Sequence, residues 1–113
     1  MKDDTLIVLW TSGDREVALN MVLMYTKNAK GKGWWKNVTL VIWGPSAKLA
    51  VQDKEITSIL KEMAEGGIRL EACKACSDRY GVSEELEEMS VEVKYMGQPL
   101  TSYLKDGYTV ITL

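Results

Sequence analysis

The sequence predicts an α/β domain built on a five-stranded, mainly parallel sheet with helices on both faces. Three observations carry this. Two unbroken apolar runs, TLIVLWT (Thr5 to Thr11) and VTLVIW (Val38 to Trp43), have the character of strands buried on both sides. The stretches between the apolar runs carry helical spacing, caps and glycine stops. The order reads β-α-β-α-β-α-β-α-β, which implies right-handed crossovers and parallel pairing. A length of 113 residues with 46% hydrophobic content suits one domain, 1–113, with a real core.

The elements follow in order. After the first strand, Ser12-Gly13-Asp14 makes a turn and a helix start. Val17, Met21, Met24 and Tyr25 then recur at helical spacing from Arg15 to about Lys30, and Gly31 and Gly33 stop that helix. The second strand breaks at Gly44-Pro45-Ser46, and a short helix is expected around Ala47 to Val51. Asp53 caps the next helix, which lines Ile56, Ile59, Leu60 and Met63 along one side and ends at Gly66-Gly67. IRLEA (Ile68 to Ala72) alternates apolar and polar residues as a third strand. Cys73-Lys74-Ala75-Cys76 opens a short helix to about Tyr80, before Gly81. Ser83 is placed to cap Glu84 to Met89. VEVKYM (Val91 to Met96) reads as the fourth strand. Pro99 fits the first turn of a helix to Lys105, and YTVITL (Tyr108 to Leu113) is the fifth strand.

Composition excludes several classes. The 14 basic and 16 acidic residues form no basic block, so a nucleic-acid backbone is not an expected partner. The acidic run from Glu84 to Glu88 reads as a solvated helix face. No apolar stretch approaches the roughly 18 residues that a membrane helix needs. Asp3 and Asp4 do not fit a basic-then-apolar leader, so a cytoplasmic, reducing setting is expected. With no histidine, triads and ligand sets that use one are excluded. Two cysteines do not complete a four-ligand zinc site unless two chains share it. Gly13 stands outside any phosphate-binding glycine motif. No cofactor or metal is expected. Asp53 and Glu55 read as cap and dipole residues. Trp34-Trp35 reads either as core packing or as a subunit contact.

In an open parallel sheet, the loops after the carboxyl ends of the strands gather on one edge, where ligands bind. Here those loops are Thr11 to Asp14, Gly44 to Ser46, Cys73 to Cys76, and Gly97-Gln98. Only one contains a strong nucleophile. Cys73 lies between a strand and a helix start, a position that favours thiolate, with Lys74 adding positive charge in sequence. Cys76, three residues on, is placed to attack a sulfur adduct on Cys73. That is the chemistry of sulfur transfer or thiol exchange. The alternative is that both cysteines are small buried hydrophobes.

The segment from Gly67 to Cys73, followed after seven residues by Gly81-Val82, resembles the cysteine segment of the DsrE-like family, with its DsrE- and TusD-type sulfur-relay proteins. The opening strand and turn, the long first helix, the Gly44-Pro45 break and the closing strand extend the resemblance over nearly the whole chain. It implies a three-layer α/β/α sandwich, a homo-oligomer (trimer or hexamer), and sulfur donor and acceptor proteins as partners. It also implies that Cys73 holds sulfane sulfur as a persulfide. Cys76 lies outside the family's relay pattern. Two other functions compete: a C-x-x-C dithiol oxidoreductase using both cysteines, and a non-catalytic binding module.

Overall fold

A computed structural model describes residues 4–113. Asp3, half of the acidic pair in the leader reading, lies outside the described residues. Strands occupy Thr5–Trp10 (β1), Asn37–Ile42 (β2), Arg69–Cys73 (β3), Glu92–Lys94 (β4) and Thr109–Thr112 (β5). Helices occupy Arg15–Val17 (α1), Leu23–Gly31 (α2), Pro45–Gln52 (α3), Lys54–Glu65 (α4), Lys74–Tyr80 (α5), Ser83–Glu88 (α6) and Gly97–Lys105 (α7). A π-helical turn, Ala18–Val22, joins α1 to α2.

The sheet has five strands in the order β4-β3-β2-β1-β5, and every pairing is parallel. From β1 to β4 the chain steps in one direction, and right-handed crossovers lay α1 to α6 along one face. The return from β4 to β5 reverses direction, so the same handedness carries α7 to the other face. The layers are therefore unequal. On the first face Leu6, Val8, Trp10, Leu40, Ile42, Leu70 and Ala72 pack against Ala18, Val22, Ala47, Ile56, Leu60, Met63 and Leu86. On the second, Ile7, Val41, Cys73 and Met96 form a smaller cluster with Tyr103 and Tyr108. Burial on both sides explains why β1 and β2 are mostly apolar.

One reading is refined and two are corrected. The recurrence of Val17, Met21 and Met24 marks the helix but not its buried side, since all three are exposed. Leu23 N–H donates to the Ala18 carbonyl five residues back. The extra residue in that turn shifts the helical phase, so that Ala18, Val22 and Leu23 all turn inward. Ser83 does not cap its helix. It sits within the first turn, and its hydroxyl donates to Asp78 and meets the Ser77 hydroxyl at 2.7 Å, joining α5 to α6. The fourth strand is shorter than VEVKYM. As an edge strand it pairs only with β3, through Glu92, Val93 and Lys94, and Met96 turns inward to open α7.

The tryptophan pair divides. Trp35 packs against the core and donates to the Tyr25 hydroxyl at 3.3 Å. Trp34 is exposed, with its ring 6.0 Å from that of Tyr25. Asp53 caps α4 as expected, accepting from Ile56 N–H at 3.1 Å, and with Glu55 it also pairs with Arg15.

Candidate thiol site at the carboxyl edge of the sheet

Parallel strands end together, so the turns after β1, β2 and β3 meet at one edge. Ser46, fully buried, fixes two of them: its hydroxyl donates to the Trp10 carbonyl at 2.6 Å and accepts from Trp43 N–H at 3.1 Å. Gly13 lies so close to Pro45 that a Cβ there would sit 3.0 Å from the proline Cβ. Glycine thus lets the first turn pack on the second. Gly44 has φ +75°, a backbone state that disfavours side chains.

The structure brings both cysteines to this edge, neither in a disulfide. Cys73 ends β3 and occupies the N-cap of α5, with no side-chain bond to the helix backbone. It is 5% exposed and belongs to the cluster of Ile7, Val41 and Met96, with Trp43 and Cys76 packed against it. Cys76 is partly exposed and packs against the cluster that holds Cys73. Burial pushes the Cys76 thiol up from its ordinary value. The contact with Cys73 adds to this, while the Gly44 N–H and Arg79 pull the other way. Lys74 pairs with Asp78 at 2.9 Å and lies 5.9 Å from the centre of the Tyr95 ring. Its charge is engaged there.

Sequence reasoning missed the groups beside this site. β3 turns Arg69, Glu71 and Cys73 to one face, and Lys94 is the register partner of Cys73 on β4. Glu71 is wholly buried, yet it reads in sequence as the polar half of an alternating strand. Its carboxylate accepts from Lys94 at 3.0 Å, Arg69 at 3.0 Å and the Tyr103 hydroxyl at 2.7 Å. Glu92 closes the network on Arg69 and Lys94, both at 3.1 Å. The network ties α7 and the edge strand to the sheet beneath Cys73. Among the described residues, no group of three or more acidic, cysteine or histidine side chains could hold a metal ion.

Burial, and then the bond to Glu71, push the Tyr103 phenol up. Tyr103→Phe is expected to cost about 1.5 kcal/mol near neutral pH, the worth of a hydrogen bond to a charged group. The folded phenol titrates above the unfolded one, so this contribution is complete below about pH 10 and is lost as pH rises further. Urea unfolding of both proteins at rising pH should show the wild-type advantage shrinking above about pH 10. A margin that does not change with pH would refute this.

A DsrE/DsrF-like family model matches residues 5–113. This chain belongs to the DsrE/DsrF-like family. A solved conserved protein of unknown function from Bacteroides thetaiotaomicron, BT1422, is 38% identical with a TM-score of 0.95, the match covering 98% of this chain and 96% of that one. MTH1491 of Methanobacterium thermoautotrophicum, also of unknown function, shares the fold at 16% identity and a TM-score of 0.75, over 96% of this chain and 97% of its own. The ychN protein of E. coli does so at 15% and 0.72, over 97% and 98%. No curated protein matches the sequence. Membership of the DsrE/DsrF-like family agrees with the five-stranded parallel sheet and its flanking helices. The Gly81-Val82 pair also has a structural basis: Gly81 ends α5 in the left-handed conformation and Val82 is buried in the core.

Proposed function

We propose that this chain is a sulfur carrier of the relay type, holding sulfane sulfur as a persulfide on Cys73. The observation that carries this reading is the pairing of two unbridged thiols at the edge where the strand-end turns converge. Cys73 thiolate attacks the outer sulfur of a persulfide donor, R–S–SH. A new S–S bond forms, the donor's S–S bond breaks, and R–S⁻ leaves. An acceptor thiolate later takes the outer sulfur by the same reaction. The donor and acceptor supply the remaining chemistry, so the site needs no general acid of its own. Intact-mass measurement after exposure to a persulfide donor tests the reading, which requires the added mass of one sulfur atom. The same pairing supports a second reading, a dithiol oxidoreductase. That reading requires disulfide formation with an oxidised partner and no retained sulfur.

No helix among the described residues is long and apolar enough to cross a membrane. A reducing, cytoplasmic setting suits two unpaired thiols. We further propose assembly into a homo-oligomer, a trimer or hexamer. The outward stripe of Val17, Met21 and Met24, with exposed Trp34 nearby in sequence, supports this. Sedimentation at micromolar concentration is expected to give one species larger than the monomer, and Met21→Glu with Met24→Glu to shift it toward monomer. Wild type sedimenting as a monomer would contradict the proposal.

A further inference from the structure

Helix geometry dictates how Cys73 and Cys76 meet. Cys73 is the N-cap of α5 and Cys76 its third residue. In a capping box the side chains at these two positions each reach the other's backbone N–H, so both lie on one side of the helix start. Helical residues three apart have Cα atoms about 5 Å apart, inside the roughly 4.4–6.8 Å that a disulfide spans. The Cys73 sulfur makes no cap bond that would hold it to the backbone, and Cys76 packs against the cluster that contains it. The Gly44 N–H favours the ionised form of Cys76, against the effect of burial.

We infer that Cys76 gives this chain a second activity, reductive discharge of the sulfane sulfur on Cys73 as hydrosulfide. The inference rests on the reading of Cys73 as the sulfur acceptor. Cys76 loses its proton to solvent, and its thiolate attacks the Sγ of Cys73. A Cys73–Cys76 disulfide forms, the bond from Cys73 Sγ to the outer sulfur breaks, and the electron pair leaves on that sulfur as HS⁻. The sulfane sulfur gains two electrons and the two cysteine sulfurs supply them, so no outside oxidant is needed. A dithiol reductant reopens the disulfide by exchange and resets the site. Burial raises the Cys76 thiol above its ordinary value, which slows the step and leaves time for hand-over to an acceptor. Hydrosulfide is thus the product when no acceptor arrives.

The test loads wild type and Cys76→Ser with glutathione persulfide, removes the donor by gel filtration, and follows intact mass and trapped hydrosulfide without reductant. Both proteins are expected to begin with the mass of one added sulfur. Wild type then loses it, releases one hydrosulfide per loaded chain, and ends two hydrogen masses below the reduced protein. Cys76→Ser keeps its sulfur on the order of a hundredfold longer or more, because the intramolecular attack is gone. Cys76→Ala should behave in the same way. The inference is overturned if wild type keeps its sulfur as long as Cys76→Ser, or if the sulfur moves to Cys76 without hydrosulfide release. Failure of both proteins to load overturns the acceptor reading and this inference together. Loading without discharge overturns only the inference.

Discussion

Cys73→Ser is expected to reduce sulfur loading to background while the protein stays folded and assembled. A serine hydroxyl is barely ionised near neutral pH and lacks the soft, polarisable sulfur that attacks a persulfide. The new hydroxyl would sit among Ile7, Val41 and Met96, where a polar group without a partner costs about 1–3 kcal/mol. Cys73→Ala is therefore the companion variant, separating loss of chemistry from loss of stability. Both should fail to gain the mass of one sulfur. Cys73 is 5% exposed and Cys76 partly exposed, so comparing the two single variants distinguishes loading at the buried thiol from loading at the more open one. Loading by Cys73→Ser at the wild-type level, with none by Cys76→Ser, would reverse the two roles. Loading unaffected by either change would remove the carrier reading and favour a binding module.

The sequence reveals what is local and leaves open what depends on register. Unbroken apolar runs mark β1 and β2 because both faces of those strands are covered, and Asp53 marks the start of α4 because a cap is a contact three residues long. The cysteine pair is legible for the same reason, since its spacing is that of an N-cap and its third helical residue. Which side of the first helix is buried depends on one extra residue at Ala18–Val22, and no periodicity count anticipates it. Glu71 is harder still. Its burial depends on Lys94 lying across β4, on Arg69 two positions away on the same face, and on Tyr103 returning over the sheet in α7. Lys94 is fixed by the β3–β4 register, and Tyr103 only once the strand order reverses after β4. A charged residue in an alternating strand reads as solvent-facing until that topology is known.

Lys94→Met is expected to destabilise the fold by about 2–3 kcal/mol, more than Glu71→Gln. The reason is where each change leaves charge. Glu71 is completely enclosed, so removing Lys94 leaves an ionised carboxylate in the interior with fewer partners. Losing one partner of a buried pair typically costs about 3–5 kcal/mol. Arg69 and Tyr103 still donate to Glu71, which places the value at or below the low end of that range. Glu71→Gln removes the charge instead. The Lys94 and Arg69 side chains are 30% and 60% exposed, so both cations can turn to water and to Glu92. That variant should lose about 1–2 kcal/mol, the worth of its altered hydrogen bonds. Combining Glu71→Leu with Lys94→Met removes both charges and should recover part of the Lys94→Met loss, because an apolar pair avoids the desolvation cost of the ions. Urea unfolding of wild type and the three variants measures the order directly. If Lys94→Met proves no more costly than Glu71→Gln, the buried carboxylate is not what locks β4 and α7 onto the sheet under Cys73. If the order holds, a loss of sulfur loading by Lys94→Met at a temperature where it remains folded would show that the network also sets the position of the thiol.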